Sequence, residues 1–179
     1  FPYTGSAQIT GSLIVTGSVS FGNVDSLNNL GGIDSFLAGD GHQITGGEDN
    51  AILGGEGNVI NGGYSAIVGA ASSTITNSDT SVIIGGYQNN VQGSRTFTVG
   101  GNQNVVNNST DFSGVIGGQS NTINTGITAS VIIGGKSITA TKNETVYMPG
   151  LEVTKLGANI TGSIIGSGNG RFGQSAGAF

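Results

Sequence analysis

A short apolar run that ends in glycine recurs through most of the chain, and it constrains the fold more than any other feature. The last apolar residue before each glycine occupies these positions: Ala38, Leu53, Val68, Ile84, Val99, Ile116 and Ile133. Successive copies are 15, 15, 16, 15, 17 and 17 residues apart, and a further step of 15 reaches Met148, where Pro149 replaces the glycine. Such spacing is typical of solenoids, whose terminal repeats depart from the pattern.

Each copy holds a second apolar position, which follows a polar stretch. These positions are Ile44, Ile60, Ile75, Val91, Val106, Ile123 and Ala140. One unit therefore consists of a strand, a glycine turn, a second strand and a polar turn, which predicts one coil of a parallel β-solenoid. Stacked strands lie about 4.8 Å apart, so the roughly eight coils that we predict over residues 35–148 form a short rod.

The strand before the glycines is apolar on both faces. Neighbouring strand residues point to opposite faces, so Val82 and Ile84 share one face and Ile83 takes the other. A strand that is apolar on both faces is buried on both. One face fills the coil, and the other needs a partner, which predicts self-association around a symmetry axis. The residues that we assign to this axis are Ile52, Ile67, Ile83, Val115 and Ile132.

The turn that follows this strand has its own local signature. We expect its first glycines to adopt positive φ where the coil bends. They are Gly54, Gly85, Gly100, Gly117 and Gly134. A little further on, asparagine recurs at Asn50, Asn58, Asn89, Asn104 and Asn121. Asparagine bonds nearby backbone groups, so stacked copies predict a structural ladder, with ligand contact as the alternative role.

Composition and charge exclude several classes of protein. Glycine accounts for 35 of the 179 residues, but not at every third position, so the chain is not collagen. Only 35% of residues are hydrophobic, which is low for one large conventional core. The net charge is −5 and the first basic residue is Arg95, which argues against nucleic acid and anionic membrane partners. We also expect no membrane insertion, because no segment is long and apolar enough to span a bilayer.

The ends of the chain carry different patterns. Thr-Gly-Ser begins at residues 4, 10 and 16, and this period of six predicts a slender β-shaft over 1–21. Residues 22–34 are predicted to be a connector. After the solenoid, the Gly/Ser-rich segment 149–179, in which Thr-Gly-Ser returns at 161–163, is predicted to be a second connector or a distal fibre piece with short shaft strands.

The stretch "NSDTSVIIGGYQNNVQGS" (77–94) resembles the head repeat of trimeric autotransporter adhesins. The resemblance covers about residues 35–148 and implies a left-handed parallel β-roll wound as a homotrimer, with one strand of each coil on the three-fold axis. The second strand departs from the family, because Asn-x-Ile or Asn-x-Val replaces Ala-x-Ala. The shaft repeats and "ETVYMPGLEVTK" (144–155) instead resemble tail-fibre and appendage proteins of bacteriophages, which also use head-type repeats.

These patterns together predict a non-enzymatic trimeric fibre, most similar to a bacteriophage tail fibre or virion appendage, at the virion surface or outside the cell. Its expected partners are two copies of itself and a host surface glycan or protein, and no cofactor is expected. Three alternatives stay open: the head of a bacterial surface adhesin, a polysaccharide-degrading tail spike, and a monomeric solenoid such as an ice-binding protein. In a monomer, the second apolar face would be an exposed stripe.

Few side chains suggest site chemistry. The residue after each glycine pair varies, and Tyr64 and Tyr87 are the candidate receptor contacts because exposed aromatic rings stack on sugars or proteins. The single histidine, His42, is expected in an exposed polar turn rather than in a hydrolytic triad or metal site with Asp40. The acidic turns around "GGEDNAILGGEGN" are expected to be a solvated rim, with calcium binding and glycoside hydrolysis as weaker hypotheses. We assign no catalytic or metal-binding residue.

Overall fold

The computed structural model describes residues 29–30 and 35–150. Every regular element in these two ranges is a β-strand. In chain order the strands are β1 (Asn29–Leu30), β2 (Phe36–Asp40), β3 (Gln43–Gly46), β4 (Ala51–Glu56), β5 (Val59–Gly63), β6 (Ala66–Val68), β7 (Thr74–Asp79), β8 (Val82–Ile84), β9 (Asn90–Val91), β10 (Phe97–Val99), β11 (Val105–Val106), β12 (Gly114–Ile116), β13 (Thr122–Ile123), β14 (Val131–Ile133), β15 (Thr139–Ala140) and β16 (Val146–Tyr147).

The strands alternate between two parallel sheets. Even-numbered strands form the eight-stranded sheet A, and odd-numbered strands form the eight-stranded sheet B. The chain passes to the other sheet after each strand, so the strands delimit about seven turns of a parallel β-solenoid. Equivalent residues of successive copies pair in register, as Ile83 does with Ile67 and Thr98. The predicted all-β repeat architecture is therefore confirmed.

The core is a double column of side chains, one from each strand per turn. Sheet A contributes Leu37, Ile52, Ile67, Ile83, Thr98, Val115 and Ile132, whereas sheet B contributes Ile44, Ile60, Ile75, Val91, Val106, Ile123 and Ala140. All are buried, and the apolar ones form one hydrophobic cluster. Complete burial of one such side chain stabilises the fold by about 1.5–3 kcal/mol, so these columns supply the main driving force for coiling.

The axis residues predicted from sequence lie in this core. Ile52, Ile67, Ile83, Val115 and Ile132 are each 0% exposed within the single chain. Their assignment to the outward face is therefore wrong. The narrow coil has room for one side chain from each three-residue strand, so the central residue points inward and its two neighbours point outward.

Glycine is required at the corner after sheet A for two different reasons. Gly100 has φ 64°, and a Cβ added to it would meet nothing within 4 Å, so its requirement is conformational. Gly101 has φ 79°, but a Cβ there would lie 2.6 Å from the carbonyl oxygen of Gly118 in the next turn. The positive φ predicted for the first glycines is confirmed: Gly54 73°, Gly85 64°, Gly100 64°, Gly117 67° and Gly134 66°.

Buried polar side chains link successive turns at both corners. Asn104 Oδ1 accepts a hydrogen bond from the backbone N–H of Asn121 (3.0 Å), and its Nδ2 donates to the carbonyl of Gly117 (3.3 Å). The predicted asparagine ladder is thus confirmed as structural for Asn58, Asn89, Asn104 and Asn121. Ser73 continues it through its hydroxyl, which accepts from the N–H of Asn89 (3.1 Å), and Ile138 ends it. Asn50 does not belong to this ladder. It lies at the other corner, in a second ladder composed mainly of Ser and Thr, where its N–H donates to the Ser35 hydroxyl (3.2 Å) and its Oδ1 accepts from the N–H of Ser65 (3.0 Å).

The solenoid begins earlier in the chain than predicted. Strand β1 lies within the predicted connector 22–34, and its Leu30 pairs with Ile44. At the other end, the Tyr147 hydroxyl accepts hydrogen bonds from the N–H groups of Thr141 (2.9 Å) and Lys142 (2.8 Å), and its ring packs against the last turn of the core. The chain divides into two compact units, Phe1–Pro149 and Gly150–Phe179.

The predicted terminal modules cannot be compared with the structure. The β-shaft predicted over 1–21 lies outside the described residues. The segment 149–179 also lies outside them, apart from Pro149 and Gly150.

Candidate functional site

The outer face of sheet A carries a continuous apolar surface. We define the apolar stripe as the third residues of six adjacent strands of sheet A: Leu53, Val68, Ile84, Val99, Ile116 and Ile133. Their exposed fractions range from 36% for Val99 to 47% for Ile84. Each is the register partner of the next, and a strand spacing of about 4.8 Å gives the stripe a length of roughly 24 Å.

A second outward column, beside the apolar stripe, is also apolar. It consists of the first residues of the same strands: Ala51, Ala66, Val82, Phe97, Gly114 and Val131. Gly114 fits here because the Phe97 ring lies over it, so that an added Cβ would lie 2.5 Å from the ring. The first and third residues of these six strands are therefore all apolar or glycine, whereas β4 continues to the exposed Glu56.

Sheet B has the opposite character on its outer face. Its outward positions are mostly amides and hydroxyls, including Gln43, Thr45, Asn61, Thr74, Asn90, Thr122 and Thr139. One sheet of the solenoid thus meets solvent through polar groups, and the other exposes isoleucine, leucine and valine. Large exposed apolar patches of this kind mark interaction surfaces in soluble proteins.

The two tyrosines predicted as receptor contacts are both exposed, but they occupy different corners. Tyr87 is 46% exposed and follows sheet A, where it bridges Ala71 and Asn102 in the neighbouring turns. Tyr64 is 57% exposed and follows sheet B, with φ 52°. Both tyrosines directly follow a pair of glycines, so the sequence pattern predicts equivalent positions for them. The structure does not bring them to one corner, and their role in binding stays a prediction.

His42 is buried rather than exposed, so the prediction of a solvated turn is wrong for this side chain. It is 0% exposed, and it lies one turn before Asn58 in the asparagine ladder at the corner after sheet A. Its Nδ1 accepts a hydrogen bond from the N–H of Asn58 (3.1 Å), which requires the neutral ring with the proton on Nε2. Desolvation lowers the pKa of His42 below 6.5, and the charge of Asp40 partly opposes this shift.

A polar cavity of about 540 Å³ lies at the corner between sheet B and the following strand of sheet A. Its lining comes from three successive turns of the solenoid. Six of the lining residues carry amides or hydroxyls: Asn77, Gln92, Ser94, Asn108, Ser109 and Thr110. The other two are Arg95 and Asp111. We call this site the corner cavity.

Arg95 and Asp111 form an ion pair beside an exposed aromatic ring. Arg95 Nε donates to Asp111 Oδ1 (2.8 Å), and Nη2 pairs with Oδ2. The guanidinium carbon also lies 4.6 Å from the ring centroid of Phe112, which is 63% exposed. The hydrogen bond from Arg95 lowers the pKa of Asp111, and the same bond raises the pKa of Arg95. Both groups are therefore charged at neutral pH, and their charges offset each other.

The acidic residues of the early turns lie apart from the corner cavity. Asp40 and Glu56 are register partners in β2 and β4, and both are exposed. Within the described residues, no group of three or more His, Cys, Asp or Glu side chains is arranged to hold a metal ion. Calcium binding and glycoside hydrolysis therefore remain predictions.

Comparison with known proteins gives no relative from which a role could be transferred. No protein-family model matches the chain, and no curated protein matches its sequence. Among the described residues, no helix has the length and apolar character needed to cross a membrane.

The repeat pattern does not reveal the corner cavity directly, but uneven repeat lengths point to its position. The steps of 16 and 17 residues show that some turns carry extra residues. These additions lie at the corner after sheet B, at Asn77 and at 107–110 and 124–127. An uneven repeat length therefore marks the place where one turn protrudes beyond its neighbour.

Proposed function

We propose that this chain is a segment of a homotrimeric fibre that extends toward a host surface and attaches to it, in the manner of a bacteriophage tail fibre or virion appendage. The segment is structural and adhesive rather than enzymatic. Three left-handed solenoids place their apolar stripes around a common three-fold axis. The terminal segments 1–21 and 149–179 continue the fibre as connectors or shaft pieces.

The observation that carries this proposal is the difference between the two outer faces. A polar sheet B needs no cover, whereas the apolar stripe leaves six aliphatic side chains more than one-third exposed. A further copy of the chain offers a stripe with the same repeat and the same length. Burying what remains exposed on each side chain is worth roughly 1 kcal/mol, so three stripes together stabilise a trimer.

The resemblance of residues 77–94 to adhesin head repeats supports the same assembly. It also supports the main alternative, the head of a bacterial surface adhesin, in which the trimer is shared and the attached modules differ. The shaft-like repeats of 1–21 and the segment 144–155 favour the phage fibre. A polysaccharide-degrading spike needs a pair of carboxylates in a groove, and the described acids offer no specific support for one.

The absolute mass of the chain in solution, measured by light scattering during size exclusion, tests the proposal. We expect a mass near three times 17.7 kDa. Ile84→Glu places a charge in the middle of the apolar stripe and should dissociate the trimer, because a buried unpaired carboxylate is costly. The matched control is Thr45→Glu on the exposed face of β3, which should leave the mass unchanged.

Two outcomes would contradict the proposed assembly. The first is a wild-type mass near 17.7 kDa at micromolar concentration. The second is a trimer that Ile84→Glu leaves intact while circular dichroism shows the variant to be folded. In that case the contact between chains lies on another face.

A further inference from the structure

The corner cavity exists because three successive corners have different lengths. The turn that contains β8 and β9 has a short corner, with Gln92, Gly93 and Ser94 before the residue with positive φ, Arg95. The preceding turn carries one extra residue at Asn77, where φ is 52°. The following turn carries two extra residues within 107–110. A short corner between two protruding ones leaves a recess.

The lining of the recess is polar but carries almost no net charge. All eight lining residues have polar side chains, and the one cation and one anion among them are paired. Since Asp111 offsets the charge of Arg95, the cavity offers no excess charge to an ionic ligand. A volume of about 540 Å³ falls within the range of roughly 300–1,000 Å³ that is usual for small-molecule sites.

Three amides in the recess are available to a ligand. Within residues 35–150, the side chains of Asn77, Gln92 and Asn108 make no hydrogen bond to other protein groups. Each amide presents both a donor and an acceptor, which matches the hydroxyl groups of a sugar. Phe112 does not line the recess, but its exposed ring contacts the lining residue Arg95 and could provide an apolar surface for the C–H face of a pyranose ring at the rim.

We propose that the corner cavity binds a neutral pyranose unit of a surface glycan, an inference that rests on the adhesive part of the function proposed above. The amides of Gln92 and Asn108 bind sugar hydroxyls. The Arg95–Asp111 pair fixes the floor of the cavity and the position of Phe112. A single copy of the chain already forms the recess with its eight lining residues.

Saturation-transfer NMR on the full 179-residue chain tests this site, since it detects weak sugar binding. The probes are the methyl glycosides of glucose, galactose, mannose, rhamnose and N-acetylglucosamine, with methyl glucuronide as an anionic comparison. We expect transfer to at least one neutral glycoside. Gln92→Ala should raise its Kd about tenfold through loss of hydrogen bonds, and Asn108→Trp should abolish binding by filling the recess.

Gln103→Ala provides the matched control, because it removes an exposed amide at the other corner, where the Gln103 side chain donates to Gln88 Oε1 (3.0 Å). This variant should bind the glycoside like the wild type. The inference is overturned if no neutral glycoside shows transfer, if methyl glucuronide alone does, or if Gln92→Ala and Asn108→Trp bind as well as Gln103→Ala.

The mass of each variant separates this inference from the proposed assembly. Loss of sugar binding in a chain that stays trimeric, or its absence in a trimeric wild type, bears on the corner cavity alone. Sugar binding by a monomeric wild type would contradict the trimer and leave the cavity assignment intact.

Discussion

At the scale of single residues, polar side chains in the core of the solenoid have very different hydrogen-bonding environments. Thr96 and Thr98 are two residues apart and both buried. Thr96 Oγ1 donates to the carbonyl of Gly93 (2.9 Å), whereas Thr98 Oγ1 lies in the aliphatic column between Ile83 and Val115 with no partner among the described residues. A buried hydroxyl without a partner destabilises a fold, so Thr98 is a weak point of this core.

Thr98→Val should stabilise the protein, because valine has the same shape and leaves no unsatisfied hydroxyl. We expect the free energy of unfolding to rise by about 1–3 kcal/mol, measured by denaturant titration. Thr96→Val makes the same chemical change where the hydroxyl is hydrogen-bonded, and it should lower stability by about 1 kcal/mol. Equal effects of the two substitutions would show that Thr98 has a partner in solution.

His42 gives the fold a dependence on pH. Its pKa is lower in the folded chain than its ordinary value of 6.5, so the unfolded state binds more protons in that range. Stability is therefore full above about pH 6.5 and decreases as the pH falls through this value. A melting temperature that drops between about pH 7.5 and pH 5, above the range of ordinary carboxylates, is the expected result.

His42→Asn isolates this effect, because asparagine occupies equivalent ladder positions at Asn58 and Asn89. The melting temperature of the variant should no longer drop between about pH 7.5 and pH 5, but the variant should still unfold in acid as its carboxylates become protonated. The chain contains one histidine, so no second imidazole complicates the comparison. An unchanged pH profile in His42→Asn would contradict the assignment.

At the scale of elements, each turn consists of two similar halves, each with a strand, a corner residue of positive φ and a buried polar side chain. At the corner after sheet A the positive-φ residues include Ser72, Gln88, Gln103 and Ser120, and at the other corner Tyr64, Thr80, Arg95 and Phe112. The polar side chain that follows most of these corners bonds the backbone of the next turn, as Asn104 does with Asn121 and Ser113 with Ser130. The ladders therefore hold the stacking register where the two-residue strands of sheet B contribute few bonds.

Asn104→Ala tests the contribution of the ladder. The substitution leaves the buried N–H of Asn121 without its acceptor and the carbonyl of Gly117 without its donor. The free energy of unfolding should therefore fall by about 1–3 kcal/mol. The neighbouring Gln103→Ala removes an exposed amide and should change stability by less than about 0.5 kcal/mol. Thermal denaturation of the two variants compares them, and similar losses would indicate that the ladder adds little.

At the scale of the whole molecule, the main feature is that the solenoid has one apolar outer face, on sheet A, and one polar outer face, on sheet B. The chain closes one end of its core with Tyr147, but nothing within residues 35–150 covers the apolar stripe. The stripe extends across six of the eight strands of sheet A, so a partner that covered it would need an apolar face with a matching repeat.

If association buries the stripe, the melting temperature depends on protein concentration. Mass action stabilises an oligomer as concentration rises, so the wild-type midpoint should increase over a hundredfold range of concentration. Ile84→Glu should melt at a lower temperature that does not change with concentration. Scanning calorimetry on both proteins checks this, and a constant wild-type midpoint would argue that the stripe stays exposed.

Much of the fold is contained in the repeat itself. The spacing of Leu53, Val68 and Ile84 predicts coils, the paired glycines predict corners with positive φ, and the recurring asparagines predict a ladder. These inferences hold because they depend on backbone geometry and on neighbours one turn away. A solenoid has few longer-range contacts with which to override them.

The direction in which each strand faces could not be derived in this way. Alternation separates Ile83 from Val82 and Ile84, but it does not say which face is inside, and only the packing of the closed coil decides that. The burial of His42 and the recess at Gln92 depend likewise on how adjacent turns stack. The sequence alone thus determined the repeating coil, whereas the tertiary structure decided its interior face and the recess at Gln92, because the first depends on how each coil closes and the second on how adjacent turns of different length stack.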